Sequence, residues 1–372
     1  MNKFAITRRQ ALLLFLICTI SSKLQMLPCL ISQDVGKAMW AVLLMGCAID
    51  VVLFSLVITI NMLAPNVTVH DMLRQTFGKV FTSIIGVLLL IYYISVAVLP
   101  YQAVREVFAS NLFDTLPWQI FSIFLLVAVG YLAYTGMRTI GRTAELYFWI
   151  IIFSVVGLIT LGVVTTNFIH VLPISDINLG EVSKSAYNNS IWFADYMIFF
   201  VLIGRIKTDP KHKAPLNFTF LLYFLGATAV YCLAYITFYG LYTVLTPTQT
   251  SLLSGISAFS LTTLEVSRVD WFLVLLSQAA SIISCATYTY CATDCINQIT
   301  GKKSYGICLL FGLIILYLTD IILFNNTDLG IKYLKVFTAP FATIMQVIMP
   351  IITLFAAVML KRKNKQLKEK TA

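Results

Sequence analysis

A lysine stands in the middle of an apolar run, and its position restricts the fold more than any other residue does. Lys23 lies between the basic pair Arg8-Arg9 on one side and Asp34 and Lys37 on the other, with mainly apolar residues between. If this run crosses a bilayer as a helix, a rise of about 1.5 Å per residue puts the ammonium roughly 15 Å from either interface. A lysine stem reaches about 6 Å, so it does not snorkel out. A charge at that depth costs about 2.5–3.5 kcal/mol on insertion scales. Lys23 must therefore face protein, water or a ligand.

The rest of the chain is consistent with a bilayer. Of 372 residues 59% are hydrophobic and 11% charged, well under the roughly 25% charge of soluble domains. Apolar runs of about 20 residues, enough to cross the hydrocarbon core as a helix, predict ten transmembrane helices. They fall at 10–32, 39–62, 80–108, 117–136, 143–167, 186–206, 215–245, 269–298, 304–324 and 333–360. The expected fold class is all-α integral membrane, one polytopic unit over 1–372 with a basic cytoplasmic tail at 361–372. A polar stretch from His170 to Lys184 separates the first five spans from the last five, and a second external segment, Thr246 to Arg268, is expected to carry a short helix.

The net charge of +10 does not indicate nucleic acid, because the basic residues occupy short connections between apolar runs. With the amino terminus inside, the external connections hold Lys37, Arg105, Lys184, Arg268, Lys332 and Lys335, and most other Lys and Arg fall in the cytoplasm, among them Lys3, Lys211, Lys213, Lys302 and Lys303. That bias places both termini in the cytoplasm. Arg8-Arg9 before an apolar stretch resembles a twin-arginine signal, but Lys23 interrupts the stretch, so it is read as a retained first helix.

Around Lys23 the residues Thr19, Ser21, Ser22 and Gln25 form a polar island, and Pro28 follows. Proline removes a helical hydrogen bond, so a broken first helix is expected. Freed backbone at that depth is tolerated only in protein or along a cavity. A continuous helix with an internal salt bridge is the alternative. The sixth span repeats the pattern with Asn188, Asn189 and Ser190 ahead of Trp192, Phe193 and Asp195. Asp50 in the second span is also at mid-depth, and either acid suits Lys23; a buried pair needs no ligand to explain it. In the eighth span Ser277, Ser281, Ser284 and Tyr288 share one helical face, flanked by Gln278, as either a cavity lining or a packing stripe. Arg142 and Glu145, spaced i,i+3, are expected to pair at the cytoplasmic interface. Two sets of five spans with breaks in the first and sixth form the layout of 5+5 inverted-repeat, LeuT-like transporters, with repeats at about 8–167 and 186–361.

All eight cysteines lie in apolar runs, and His70, His170 and His212 lie in connections. Cys291 and Cys295 are spaced i,i+4 without a nearby histidine, which suits filler better than a metal site. No phosphate-cradling loop or carboxylate pair on one helix face is present. No enzyme, cofactor or metal is expected.

Ile6-Thr7-Arg8-Arg9-Gln10, Leu27-Pro28, Leu99-Pro100-Tyr101 and Gly141-Arg142-Thr143-Ala144-Glu145, with the length and helix count, resemble the spore germination permeases, the GerAB-type B subunits of germinant receptors. The resemblance covers essentially the whole chain and implies the amino acid–polyamine–organocation superfamily. It implies sensing of a nutrient germinant, often an amino acid, in the inner membrane of a dormant spore, with an A-type membrane subunit and a C-type lipoprotein as partners. By the superfamily plan, ligand contacts fall on Ser21, Ser22 and Lys23, on Tyr93, on Asn189, Trp192 and Asp195, and on Ser281 and Ser284. One departure stands out: amino acid transporters of the superfamily commonly have glycines at the first break, where this chain has Ser-Ser-Lys. An amino acid or amine permease working by alternating access is the second expectation.

Overall fold

The computed structural model describes residues 6–65, 67–111, 118–171, 177–207, 216, 218–263, 269–301, 304–324 and 333–371. Lys3, Lys211, His212, Lys213, Arg268, Lys302, Lys303 and Lys332, named above for orientation and composition, lie outside them. Regular structure among the described residues is helical, apart from one isolated bridge between Ile6 and Ile206.

The first helix, α1 (Arg8–Leu24), begins at a reciprocal cap. The Gln10 N–H donates to the Thr7 hydroxyl, and the Thr7 N–H donates to the Gln10 side chain, satisfying two otherwise free amides. It ends where Gln25 leaves helical geometry (φ −93°, ψ −104°) and resumes as α2 (Leu27–Val35) with Pro28 in its first turn, where a missing N–H is harmless. Then come α3 (Met39–Leu63) and α4 (Val69–Asn111), which is kinked at Gly78 (φ +84°). These are followed by α5 (Trp118–Thr135), α6 (Met137–Thr165) and α7 (Leu179–Asn188). The last of these corrects the sequence reading, in which the polar stretch to Lys184 is a connection. Asn178 caps the helix through the Gly180 N–H, and Val182, Ser185 and Ala186 are buried.

After α7 regular helix is lost. Two 3-10 turns, Ser190–Trp192 and Asp195–Ile198, lead into the four-residue α8 (Phe199–Leu202). The chain continues through α9 (Thr219–Tyr242), the short α10 (Leu252–Thr263), α11 (Val269–Ile299), α12 (Tyr305–Phe324) and, after a π-turn at Tyr333–Thr338, α13 (Ala339–Thr371). Seven helices among the described residues are long and apolar enough to cross a membrane, and α5 is a shorter apolar one. The difference from the expected ten falls largely where helices are interrupted: α1 has 17 residues, and the segment expected at 186–206 is divided into short turns.

Helix α11 runs through the centre and packs on α1, α4, α5, α6 and α12. Leu146, Trp149, Phe153, Phe124 and Leu310 point outward from α5, α6 and α12. Such a surface suits lipid, because chains packed in a bilayer need no polar exterior.

The amino-terminal end of α1 is fastened twice. The Ile6 N–H donates to the Arg205 carbonyl at 3.2 Å, and the Lys207 N–H donates to the Ile6 carbonyl at 2.8 Å. Glu145 pairs with Arg9 (3.2 Å) and accepts from the Gln10 amide (3.1 Å). The expected Arg142–Glu145 pairing is therefore corrected: Gly141 lets α1 approach α6, with the Gln10 Cβ 3.3 Å from where a Cβ would stand, and Glu145 turns to that helix. Arg105, expected in an external segment, is also corrected. Helix α4 continues to Asn111, and Arg105 is buried against Asp320 at 2.7 Å.

Gly204 at φ +84° brings its backbone against Val67 and Thr68, leaving no space for a Cβ. Gly204→Ala is expected to destabilise the chain by more than the roughly 1–2 kcal/mol of the left-handed backbone alone, read as a lowered melting temperature in detergent. An unchanged melting temperature would contradict this packing.

Candidate functional site

The first break frees backbone that neighbouring helices answer. Tyr235 of α9 donates to the Lys23 carbonyl at 2.8 Å, and the Leu252 N–H of α10 donates to the Gln25 carbonyl at 3.1 Å. Ser21 donates to Ser281 of α11 at 3.1 Å, and the Thr19 hydroxyl lies 2.8 Å from that of Tyr231. The side chains of Gln25 and Gln278 meet through one bond of 3.4 Å, leaving the Gln25 amide nitrogen and the Gln278 amide oxygen buried without a protein partner. Flipping both amides still leaves one donor and one acceptor unanswered.

The second break is held from α3, α4 and α13. Ala194 adopts a left-handed conformation (φ +65°, ψ +36°), which costs a non-glycine residue of order 1–3 kcal/mol, and its N–H is fixed by Asp50 at 2.9 Å. Tyr93 donates to the Met197 carbonyl at 2.9 Å, Tyr196 to the Gln346 carbonyl at 3.1 Å, and Gln346 to the Ser190 carbonyl at 3.0 Å.

The two breaks meet at Lys23. Its Nζ donates to the Trp192 carbonyl and lies 3.0 Å from Asp195 Oδ2, 3.9 Å from Asp50 Oδ2 and 4.5 Å from the centre of the Phe193 ring. The sequence left the choice between Asp50 and Asp195 open. The geometry gives direct contact to Asp195, with Asp50 just beyond hydrogen-bonding distance. Asp195 also accepts from Ser22 (2.7 Å) and from Tyr288 (2.8 Å). The ammonium is fully buried, and desolvation of that kind is tolerable only when the charge is paired and hydrogen-bonded.

The joint is closed towards both faces. Towards the amino-terminal end of α1, Phe15, Phe54, Tyr196, Phe199, Phe220 and Phe224 interlock with ring centres 5.0–6.2 Å apart. The space between this cluster and the two acids leaves no volume for a water molecule. On the other side the first N–H of α10 bonds the Gln25 carbonyl, and Ser185 of α7 donates to Asp34 of α2 at 3.1 Å.

Of the residues predicted to contact ligand, Ser21, Ser22, Lys23, Trp192, Asp195 and Ser281 come together here. Tyr93 braces the second break from behind. Asn189 turns away, its amide donating to the Ser185 carbonyl at 3.0 Å, and Ser284 sits by Cys18. Within the serine stripe Ser277 bonds its own helix, at the Val274 carbonyl. The sequence reading named Phe193 only as part of the sixth-span pattern and passed over Tyr235 and Gln346, whose aromatic or amide character gives no signal of position. It also passed over Asp294, paired with Arg205 at 2.6 Å, and Asp320. An acid inside an apolar run was the available signal for both.

The spore permease family, described as spore germination protein, matches residues 5–329 of the chain. Over 211 residues the chain is 23% identical to spore germination protein KB of Bacillus subtilis (strain 168), an alignment spanning 56% of each, so it covers about half the length of that relative. It is 22% identical over 289 residues to spore germination protein A2 of the same organism, across 74% of this chain and 76% of that one. A solved structure of Mhp1, a nucleobase-cation-symport-1 family transporter, in a closed conformation with bromovinylhydantoin bound, superposes with a TM-score of 0.57 at 14% identity, covering 100% of this chain and 96% of that one. At this identity the likeness is one of fold.

Lys23→Met leaves the Asp195 carboxylate buried without its cation. It is expected to cost about 3–5 kcal/mol, the range for removing one member of a buried pair, whereas Lys23→Met with Asp195→Asn is expected to regain part of the loss. Melting temperatures of the purified variants check this; a single variant as stable as the parent would refute the joint. Gly46→Ala tests the same joint sterically, because its methyl falls on the Phe193 ring under the ammonium; a melting temperature lowered relative to the parent is expected.

Proposed function

The chain belongs to the spore germination protein family of multi-pass membrane proteins, and from that premise we propose that it is the membrane-embedded subunit of a spore nutrient-germinant receptor, binding a small molecule, an amino acid in particular, between its two helix breaks. The unanswered donor and acceptor of Gln25 and Gln278 beside the first break carry the reading. A buried polar group without a partner costs about 1–3 kcal/mol, and a ligand at the break would satisfy both. Its carboxylate would compete with Asp195 for Lys23, and its ammonium would compete with Lys23 for Asp195 and the Trp192 carbonyl. Ser21, Ser22, Trp192 and Ser281 surround that exchange, with Tyr93, Asn189 and Ser284 in the supporting layer.

The proposed architecture is ten transmembrane helices in two inverted repeats of five, about 8–167 and 186–361, within one polytopic unit. Both termini would be cytoplasmic, in the inner membrane of the spore. A ligand signals only if it binds one conformation better than another. Here it would do so by opening the Lys23–Asp195 bond that ties the breaks together, changing the surface offered to an A-type membrane subunit and a C-type lipoprotein. The second reading is an amino acid or amine permease, which the fold likeness to a transporter favours. Uptake into proteoliposomes by the chain alone would support that reading, and co-purification with A and C subunits would support the receptor.

Gln25→Leu combined with Gln278→Leu separates binding from stability. The double variant is expected to leave the melting temperature of the purified chain unchanged or higher, because both amides are removed together and neither is left without its 3.4 Å partner. It should abolish the rise in melting temperature that a bound amino acid produces, about 2.7 kcal/mol of stabilisation at one hundred times Kd. No rise with amino acids, nucleosides or sugars, for the chain alone and with its partner subunits, would end the receptor reading.

A further inference from the structure

The central joint is one positive charge short. Lys23 contributes one ammonium and Asp50 and Asp195 two carboxyl groups, with side-chain exposures of 0%, 5% and 4%. The other buried ion pairs of the described residues, Arg105–Asp320 and Arg205–Asp294, engage different helices. If both carboxyls were ionised, a full negative charge would remain inside the bilayer, and a group in that position neutralises rather than stay charged.

We infer that Asp50 is a proton-binding site: in this closed form Asp50 carries a proton, and Asp195 carries the charge that answers Lys23. The hydrogen bonds distinguish the two acids. Asp195 accepts from Lys23, Ser22 and Tyr288, three donors that reward an anion. Asp50 accepts one backbone N–H, from Ala194, and its other oxygen stands 3.9 Å from the ammonium. A metal cation does not fit as the balancing charge. Such ions gather a shell of oxygens, and the space bounded by Phe15, Asp50, Phe54, Asp195, Tyr196 and Phe224 has no volume even for a water molecule. A proton requires none.

Occupancy of this site sets how firmly the breaks are joined. Once Asp50 loses its proton it becomes a second anion beside the same ammonium and draws Lys23 away from the Trp192 carbonyl and Asp195. Among the described residues, the titratable groups that interact with Asp50 are Lys23 of α1, Asp195 and Tyr196 of the second break, Cys47 of its own helix and Tyr92 of α4. Lys23 and Asp195 are the charged ones. The inference is independent of the receptor reading, because the proton is measured without ligand or partner subunits.

The experiment is infrared spectroscopy of the full chain in lipid nanodiscs, with Asp50→Asn as the reference. The difference spectrum is expected to contain a protonated-carboxyl C=O stretch that disappears in a one-proton step as pH is raised, equally in sodium, potassium and choline salts. The inference is overturned if the variant and the parent share that band unchanged, or if the band responds to sodium or potassium at constant pH. It is also overturned if the parent shows no protonated-carboxyl band at any pH where it stays folded, a result that needs no variant and holds even if Asp50→Asn does not assemble.

Discussion

The bond between the Lys23 ammonium and Asp195, 3.0 Å long and fully buried, is the constraint on which the other features of the interior depend. A charge at that depth is held only by partners placed beforehand. The partners here lie in a segment that is itself not helical: the Trp192 carbonyl is free because the chain leaves the helix after Asn188, and Asp195 opens the next short turn. The break at Gln25 in turn leaves carbonyls that Tyr235 and Leu252 must answer. Each interruption is thus stabilised by side chains or backbone of other helices, and the two interruptions stabilise each other through one lysine.

This mutual dependence explains the investment in closure on both sides. Water reaching the joint would screen the ion pair and compete for the freed backbone groups. Aromatic rings close the side towards the start of α1, and the strand-like bridge of Ile6 to Ile206 and the Glu145 contacts fix the end of α1 beyond them. On the far side α10 is tied to the break, its first N–H binding the Gln25 carbonyl directly. A movement that opens either side therefore has to act on an element already bonded to a break.

Much of this was legible in the sequence for a definite reason. A lysine, a proline and a run of small polar residues violate the pattern of a lipid-facing helix, and a violation at mid-depth has few explanations. Lys23, Asp50 and Asp195 stand out in that way, as does the interruption near Pro28. Partners whose residue type is ordinary in a membrane helix do not. Tyr235, Phe193 and Gln346 are indistinguishable from packing residues until the helices are placed, and the turn of Asn189 away from the joint follows from the start of α7 at Leu179. The Gly141-to-Glu145 motif was visible, yet its pairing was assigned within its own helix. Sequence spacing favours neighbours one turn away, and only packing shows that α1 arrives at Gly141.

The absence of glycine at the first break acquires a physical meaning from this geometry. A glycine break offers bare amides to an arriving anion, and the site then waits for a diffusible cation or ligand to complete it. A lysine break carries its own cation on a tether, so the joint completes itself and the chain rests closed. Ser22, next to that lysine, donates to the same acid, so the Ser-Ser-Lys sequence supplies both the charge and a neutral donor to Asp195. What disturbs such a joint must bring charge to it or remove charge from it, because no apolar ligand competes for an ammonium held by a carboxylate and a carbonyl. The residues at the break thereby make the Lys23–Asp195 bond sensitive to charge and to hydrogen bonding rather than to apolar contact.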